Sequence, residues 1–334
     1  SNASDALEKM RLRQLTDGAV FEPELPLEIN ITTDETAKTL TISDYGIGMD
    51  RDELVENLGT IAHSGTKSFL ESLKGSDKGG ADVIGQFGVG FYSAFMVAER
   101  VEDYTHSFRE DAEHLKWESD GESGYTIEEA PGQRRGCRVV VHLKEGHEEF
   151  VKADRVKGII ERYSNFVGFP VNLNGERINT VEAIWLKSKS DVTEEQYKGF
   201  YQFIGHAMDE PRYTMHFSAD APLAINALLF APGENAERFG MGPQEPGVAL
   251  YCRKVLIDSH PEGLLPQWLR FLKGVIDCED LPLNISRDSI QDSALVRKLN
   301  QLLTKRFLKF LGKQAKDKPE DYLEFFQRFG RFVK

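Results

Sequence analysis

The chain has 334 residues, 40% apolar and 28% charged, a composition ordinary for soluble globular proteins and a length sufficient for about two domains. Its 41 basic and 54 acidic side chains leave a formal charge of −13 at pH 7. Residues 1–150 carry 15 basic and 30 acidic groups against 26 and 24 in residues 151–334, and so acidic a first half argues against nucleic acid or an anionic membrane as partner.

In chain order, Ser4 as N-cap with Leu7, Met10 and Leu15 predicts a helix over 4–16. Alternating Leu27, Ile29 and Ile31, then Leu40 and Ile42, predict two strands, and 50–59 reads as helical. The Gly-, Ser- and Lys-rich stretch at about 62–90 is long for a connection and reads as a lid or functional loop. A short apolar helix is expected from near Val89, followed by strands around 100–107, 114–118, 125–129 and 136–143. Val151, Val156, Ile159, Ile160, Tyr163 and Val167 have helical spacing, which puts a domain boundary just before them and divides the chain into 1–148 and 149–334. The second half mixes strands (213–218, 225–231, 247–258) with helices at 288–313 and 319–332; the Tyr322, Phe325, Phe326, Phe329, Phe332 stripe of the last reads as core. Cys137, Cys252 and Cys278 form no CxxC pair, so a reducing compartment is expected. No apolar stretch approaches the roughly 18 residues of a membrane span. The chain opens inside a helix-like segment, so its natural start is expected further upstream.

Three short segments carry candidate chemistry. Asp44-Tyr45-Gly46-Ile47-Gly48-Met49 follows a strand: an Asp there can accept from an exocyclic amine such as that of adenine, and the glycines let backbone approach a ring or take positive φ, although a plain turn explains the same residues. Gly85-Gln86-Phe87-Gly88-Val89-Gly90-Phe91 leads into a helix, an arrangement that holds phosphate on backbone N–H groups. It is neither a dinucleotide fingerprint nor a Walker A loop. Ser1-Asn2-Ala3-Ser4-Asp5-Ala6 places an Asn amide oxygen on a helix, where it can ligate Mg²⁺ or belong to an ordinary capped helix.

In this order the segments resemble the nucleotide-site boxes shared by gyrase, histidine kinases, MutL and the ninety-kilodalton heat-shock chaperones. Asn57-Leu58-Gly59-Thr60-Ile61-Ala62, Ser64-Gly65-Thr66-Lys67, the run from Gly85 to Phe95, and Asp280-Leu281-Pro282-Leu283-Asn284-Ile285-Ser286-Arg287 are similar to the chaperones specifically, over essentially the whole chain. With no charged linker between its halves, the chain is most similar to bacterial and mitochondrial members. The resemblance implies an α/β fold: a two-layer α/β sandwich nucleotide domain with a lid at about 62–90, then an α/β middle domain. It implies an ATP-dependent chaperone that binds and hydrolyses ATP with Mg²⁺ to close a clamp around unfolded or partly folded clients. The full-length protein is expected to be a homodimer, cytoplasmic or in the mitochondrial matrix, with no nucleic-acid or membrane partner. A gyrase- or kinase-like role fits less well, since no phosphoacceptor helix is evident.

By the same resemblance Asp44 takes the adenine amine, with Gly46, Gly48, Met49 and Phe91 near the base. Asn2 holds Mg²⁺ at the phosphates and Asn57 meets the ribose–phosphate region. His63 and Lys67 lie beside the phosphates. Gly85, Gly88, Val89 and Gly90 form the phosphate loop and lid hinge, and Cys137 borders the base. Arg287, supported by Gln291, reaches the γ-phosphate. Trp185 and the loop around Phe239 and Met241 are candidates for client contact, Trp185 reading more readily as core or interface.

Three features depart from the family pattern. The family's catalytic Glu belongs to the helix just before Ser1, which leaves a non-hydrolysing, nucleotide-gated client-binding module as the alternative expectation for this chain. His63 replaces a Lys or Arg; imidazole is mostly neutral at neutral pH, so nucleotide affinity is expected to strengthen from pH 8 to pH 6. Cys137 replaces a Thr, and a thiol is the weaker donor.

Overall fold

A computed structural model describes residues 1–15, 19–59, 90–221, 223–235, 237, 245–279, 281 and 293–333. His63, Lys67, Gly85, Gly88, Val89, Phe239, Met241, Arg287 and Gln291 lie outside these residues. The chain divides into two units, Ser1–Thr180 and Val181–Lys334.

Side chains of period two organise the first unit. Its sheet has the order β5-β4-β3-β6-β2-β1-β7-β8. The strands are β1 (Ile29–Asp34), β2 (Thr39–Asp44), β3 (Ala98–His106), β4 (His114–Ser119), β5 (Tyr125–Glu129), β6 (Gly136–Leu143), β7 (Val171–Leu173) and β8 (Glu176–Arg177). Pairing puts Ile42, Asp44, Val101, Asp103, Thr105, Leu115, Trp117, Cys137, Val139 and Val141 on one face, because side chains of period two share a side. The other face carries Glu102, Tyr104, Lys116, Glu118, Arg138 and His142, with Lys116 and His142 paired to Glu102.

Among the described residues, the helices cover the apolar face, which makes this unit a two-layer sandwich. Helix α1 (Asn2–Gln14) and helix α3 (Ala153–Tyr163) pack Leu7 and Val156 against Ile29, Ile31, Val171 and Leu173. Helix α2 (Arg51–Leu58) packs Leu54 and Leu58 against Val101, Leu115, Trp117 and Val141. Its start is set by a capping box: the Asp50 carboxylate accepts from Glu53 N at 2.9 Å, and Glu53 Oε2 accepts from Asp50 N at 2.8 Å. The expected short helix near Val89 is a 3-10 turn over Phe91–Met96.

The units divide at 180/181, later than the expected 148/149. The reason is that β7 pairs in parallel with β1 and α3 packs on the same sheet, neither of which local composition reveals.

The second unit holds a sheet of order β12-β11-β13-β10-β9, from β9 (Pro211–Ala219), β10 (Ile225–Pro232), β11 (Gly247–Cys252), β12 (Val255–Asp258) and β13 (Lys273–Cys278). The single strand expected at 247–258 is a hairpin, since Arg253 and Lys254 take φ of 48° and 66° and turn the chain. Helix α4 (Glu194–Gly205) was not foreseen; it is started by a Thr193–Gln196 capping box and stopped by His206 at φ 47°. Helix α5 (Ser293–Asp317) and helix α6 (Pro319–Val333) close the unit. The aromatic stripe on α6 is core: Phe325 and Phe329 are fully buried, and both contact Phe271. Trp185 is core too, 1% exposed, donating from Nε1 to Asp277 Oδ2 at 3.1 Å and packed on Phe200 and Tyr251, which removes it as a client contact.

Candidate functional site

The segment after β2 is built where three elements converge. Asp44 ends β2, is buried, and its Oδ1 accepts from Gly46 N at 2.8 Å. Ile47 N donates to Ala6 O on α1, and Phe108 N donates to Ile47 O just after β3. The glycines are required by contact. A Cβ on Gly46 would lie 2.6 Å from the Ala6 carbonyl carbon. One on Gly48 (φ +63°) would lie 1.9 Å from the His106 carbonyl oxygen, and one on Gly136 (φ +106°) 2.1 Å from that of Asp44.

Arg135, fully buried, fastens this segment. Its guanidinium donates to Tyr45 O (2.7 Å), Gly46 O (3.5 Å), Phe21 O (3.1 Å) and Leu25 O (3.4 Å). The motif reading missed it. The only local signal was a basic pair immediately before a strand.

Asp44, Cys137 and Thr105 form one row across β2, β6 and β3. Thr105 Oγ1 accepts from Met49 N at 3.0 Å, donates to Gly136 O at 2.9 Å and lies 3.3 Å from Cys137 Sγ. Asp103 occupies the next position of β3 on the same face. Burial raises the Asp44 carboxyl to about 7, against the pull of the Gly46 and Cys137 amides and of Arg135. Burial, and then the charge of Asp44, raise Asp103 to about 8. The Cys137 thiol is pushed well up by its burial and by both carboxyls. Thr105 and Asp103 were also missed, although the Val101-x-Asp103-x-Thr105 alternation marks them as facing the same way as the core.

Met49 and Phe91 pack on the cluster around Leu54, Leu58 and Trp117, with the Phe91 ring 5.5 Å from Trp117. Asn57 projects from α2 with Oδ1 buried and without a hydrogen-bond partner among the described residues. Asn2 is exposed in the first turn of α1, one turn before Ala6, which touches Gly46. Gly90 is exposed at the start of the 3-10 turn. Thus Asp44, Gly46, Gly48, Met49 and Cys137 gather around one end of the sheet, while Phe91 packs on Trp117; Asn2 and Asn57 stand on two helices of the same unit.

Residues 2–134 match the family described as histidine kinase-, DNA gyrase B- and HSP90-like ATPase, and residues 173–334 match the family described as Hsp90 protein. Along its whole length the chain is 54% identical to chaperone protein HtpG of Desulfitobacterium hafniense, covering 55% of that protein. It is 47% identical to the mitochondrial 75 kDa heat shock protein of Bos taurus, covering 47% of it. The chain belongs to the Hsp90 family. It spans about half the length of the curated relatives it matches.

The residues suit Mg²⁺ in the way a phosphate-bound ion needs: Asn2 offers one exposed amide oxygen, and such an ion keeps several waters and draws other ligands from the phosphates. Among the described residues there is no group of three His, Cys, Asp or Glu side chains that would form an all-protein metal cage. No helix among them is long and apolar enough to cross a membrane.

Proposed function

We propose that this protein is an ATP-dependent molecular chaperone whose first unit binds and hydrolyses ATP. The observation that carries this reading is the buried Asp44 carboxyl at a strand end, tied to the Gly46 amide and surrounded by three glycine positions where a Cβ would meet backbone. Such an arrangement offers a planar base one strong acceptor and close backbone, which suits the exocyclic amine of adenine. Met49 and Phe91 supply apolar contact at its border and Cys137 its floor. Mg²⁺, when bound, neutralises phosphate charge; the Asn2 side-chain oxygen would hold it, with Asn57 on the opposite helix toward the ribose.

His63, Lys67, Gly85, Gly88, Val89 and Gly90 are proposed to complete the phosphate side, and Arg287 with Gln291 to stabilise charge on the γ-phosphate during transfer. ATP-driven clamp closure in a homodimer, around unfolded or partly folded clients, is proposed from the relatives, which are named chaperones and heat shock proteins. Those relatives also suggest a bacterial cytoplasmic or mitochondrial setting.

Calorimetric titration of ADP and ATP with Mg²⁺, and phosphate release, test the reading on wild type and Asp44→Asn. Binding and turnover in the wild type, with at least about 100-fold weaker binding in the variant, are expected, because the amide can offer its N–H₂ where an acceptor is needed. Equal affinity in the two proteins excludes Asp44 as the base acceptor. Binding without phosphate release would favour the nucleotide-gated module.

A further inference from the structure

Asp103 interrupts an apolar neighbourhood. Its cross-strand neighbours are Val139 on β6 and Trp117 on β4, and Val101 lies two positions away on the same face. The residue is 2% exposed. Its Oδ1 is sealed from solvent and has no hydrogen-bond partner among the described residues, and the same is true of the adjacent Trp117 Nε1 and of Asn57 Oδ1 on α2. An unmatched buried carboxyl oxygen is costly, and Val or Leu would serve packing better. The side chain stands next to the Asp44–Cys137–Thr105 row, on the face that Met49 and Phe91 also pack against.

We propose that Asp103 is a second base-recognition residue of the nucleotide pocket, held as the neutral acid and donating a hydrogen bond to the ring-nitrogen edge of bound adenine while Asp44 accepts from the exocyclic amine. This rests on reading the first unit as an adenine-nucleotide site. Two buried carboxyls acting on one another share one proton near neutrality. Their partners decide where it resides. Asp44 has the Gly46 and Cys137 amides and the nearby Arg135 guanidinium, all of which favour a charge. Among the described residues Asp103 has the weak Cys137 thiol alone, so it keeps the proton, and burial with the Asp44 charge raises it to about 8. The groups facing this pair are Cys137 from β6, Glu53 from α2, Lys9 from α1 and the amino group of Ser1, which favours the charged form of Asp44; Glu53 and Lys9 act on Cys137 and on each other. Trp117 from β4 carries no charge, and Glu102 and Tyr104 beside Asp103 belong to the opposite face.

The test is calorimetric titration of ADP between pH 8.0 and 9.5, in buffers of different ionisation enthalpy, where an ordinary His is already neutral. Wild-type affinity is expected to fall about ten-fold across this range, with uptake of a fraction of a proton on binding near pH 8. Asp103→Asn keeps a donor but cannot ionise, so both effects should vanish with affinity at pH 8 within a few-fold of wild type. Asp103→Leu, which refills the apolar row, should bind more weakly at pH 8 and show an equally flat profile; it serves where the amide variant does not fold. A wild type that binds ADP with no alkaline loss and no proton uptake overturns the proposal without any variant. So does an Asp103→Asn profile that matches wild type. Absence of ADP binding by the wild type at every pH is a separate outcome, which removes the nucleotide reading itself.

Discussion

The Arg135 guanidinium donates to the Tyr45 carbonyl at 2.7 Å, joining the residue before β6 to the loop that follows Asp44. Three further carbonyls, from Gly46, Phe21 and Leu25, depend on the same side chain. Arg135→Lys keeps the charge but cannot reach all four with one ammonium. It should cost roughly 3 kcal/mol in urea denaturation, because buried acceptors are left unmatched. ADP affinity measured by calorimetry should fall at least about ten-fold, since the loop loses its tether.

Glycine substitutions separate contact from conformation. Gly136→Ala and Gly48→Ala combine positive φ with a Cβ about 2 Å from a carbonyl oxygen, and each should destabilise by more than about 3 kcal/mol. Gly132→Ala has positive φ (+87°) but open space, so about 1 kcal/mol is expected. Gly90→Ala, at φ −60° with no atom of the described residues within 4 Å of the added Cβ, should change urea stability by less than about 1 kcal/mol.

Asp44 brings a pH dependence opposed to the one expected from His63. A carboxyl raised to about 7 is protonated as pH falls below that value, and the acid form no longer accepts from an amine as a carboxylate does. ADP affinity should therefore weaken from pH 7 to pH 5.5, whereas protonation of His63 would strengthen it from pH 8 to pH 6. Comparing wild type with His63→Lys across pH 5.5–8 resolves the two, because the Asp44 loss should persist in the variant. The same raised carboxyls act on stability. The folded state binds their protons up to about pH 7 and 8 while the unfolded chain releases them near 4, so their contribution turns unfavourable as pH rises through this window. Asp103→Asn should accordingly raise Tm more at pH 8.5 than at pH 4.5.

Cys137 should be chemically quiet. Its half-buried position beside two carboxyls pushes the thiol well up, so a thiol reagent should modify it far more slowly in the native than in the denatured protein. Cys137→Thr offers a stronger donor 3.3 Å from Thr105 Oγ1 and should bind ADP about 3- to 10-fold more tightly in calorimetry.

Trp185→Phe should lower stability by about 1–2 kcal/mol, because Asp277 loses the indole donor while retaining the Arg253 and Lys254 amides. Suppression of client aggregation should be unchanged, as the ring is enclosed by Phe200 and Tyr251.

The strands around Asp44, Val101 and Val139 and the two C-terminal helices were legible because burial on one face writes a period of 2 or 3.6 into the sequence. So were the motif glycines and the family they indicate. The order of those strands was not. Alternation marks Asp103 and Thr105 as inward-facing, but only the β3–β6–β2 pairing places them beside Asp44. Likewise, nothing local to Arg135 announces that its partners lie about 90 and 110 residues away in sequence. Length and residue counts thus indicated about two domains and an acidic first half, and the motif residues carried the family resemblance that implied the α/β plan and the nucleotide boxes, since each is a local or additive property of the chain. Tertiary structure alone decided where the first unit ends and that two carboxyls and a thiol meet beneath one loop. Those outcomes depend on non-local pairing and on the loss of water around the paired groups, which no short window of sequence contains.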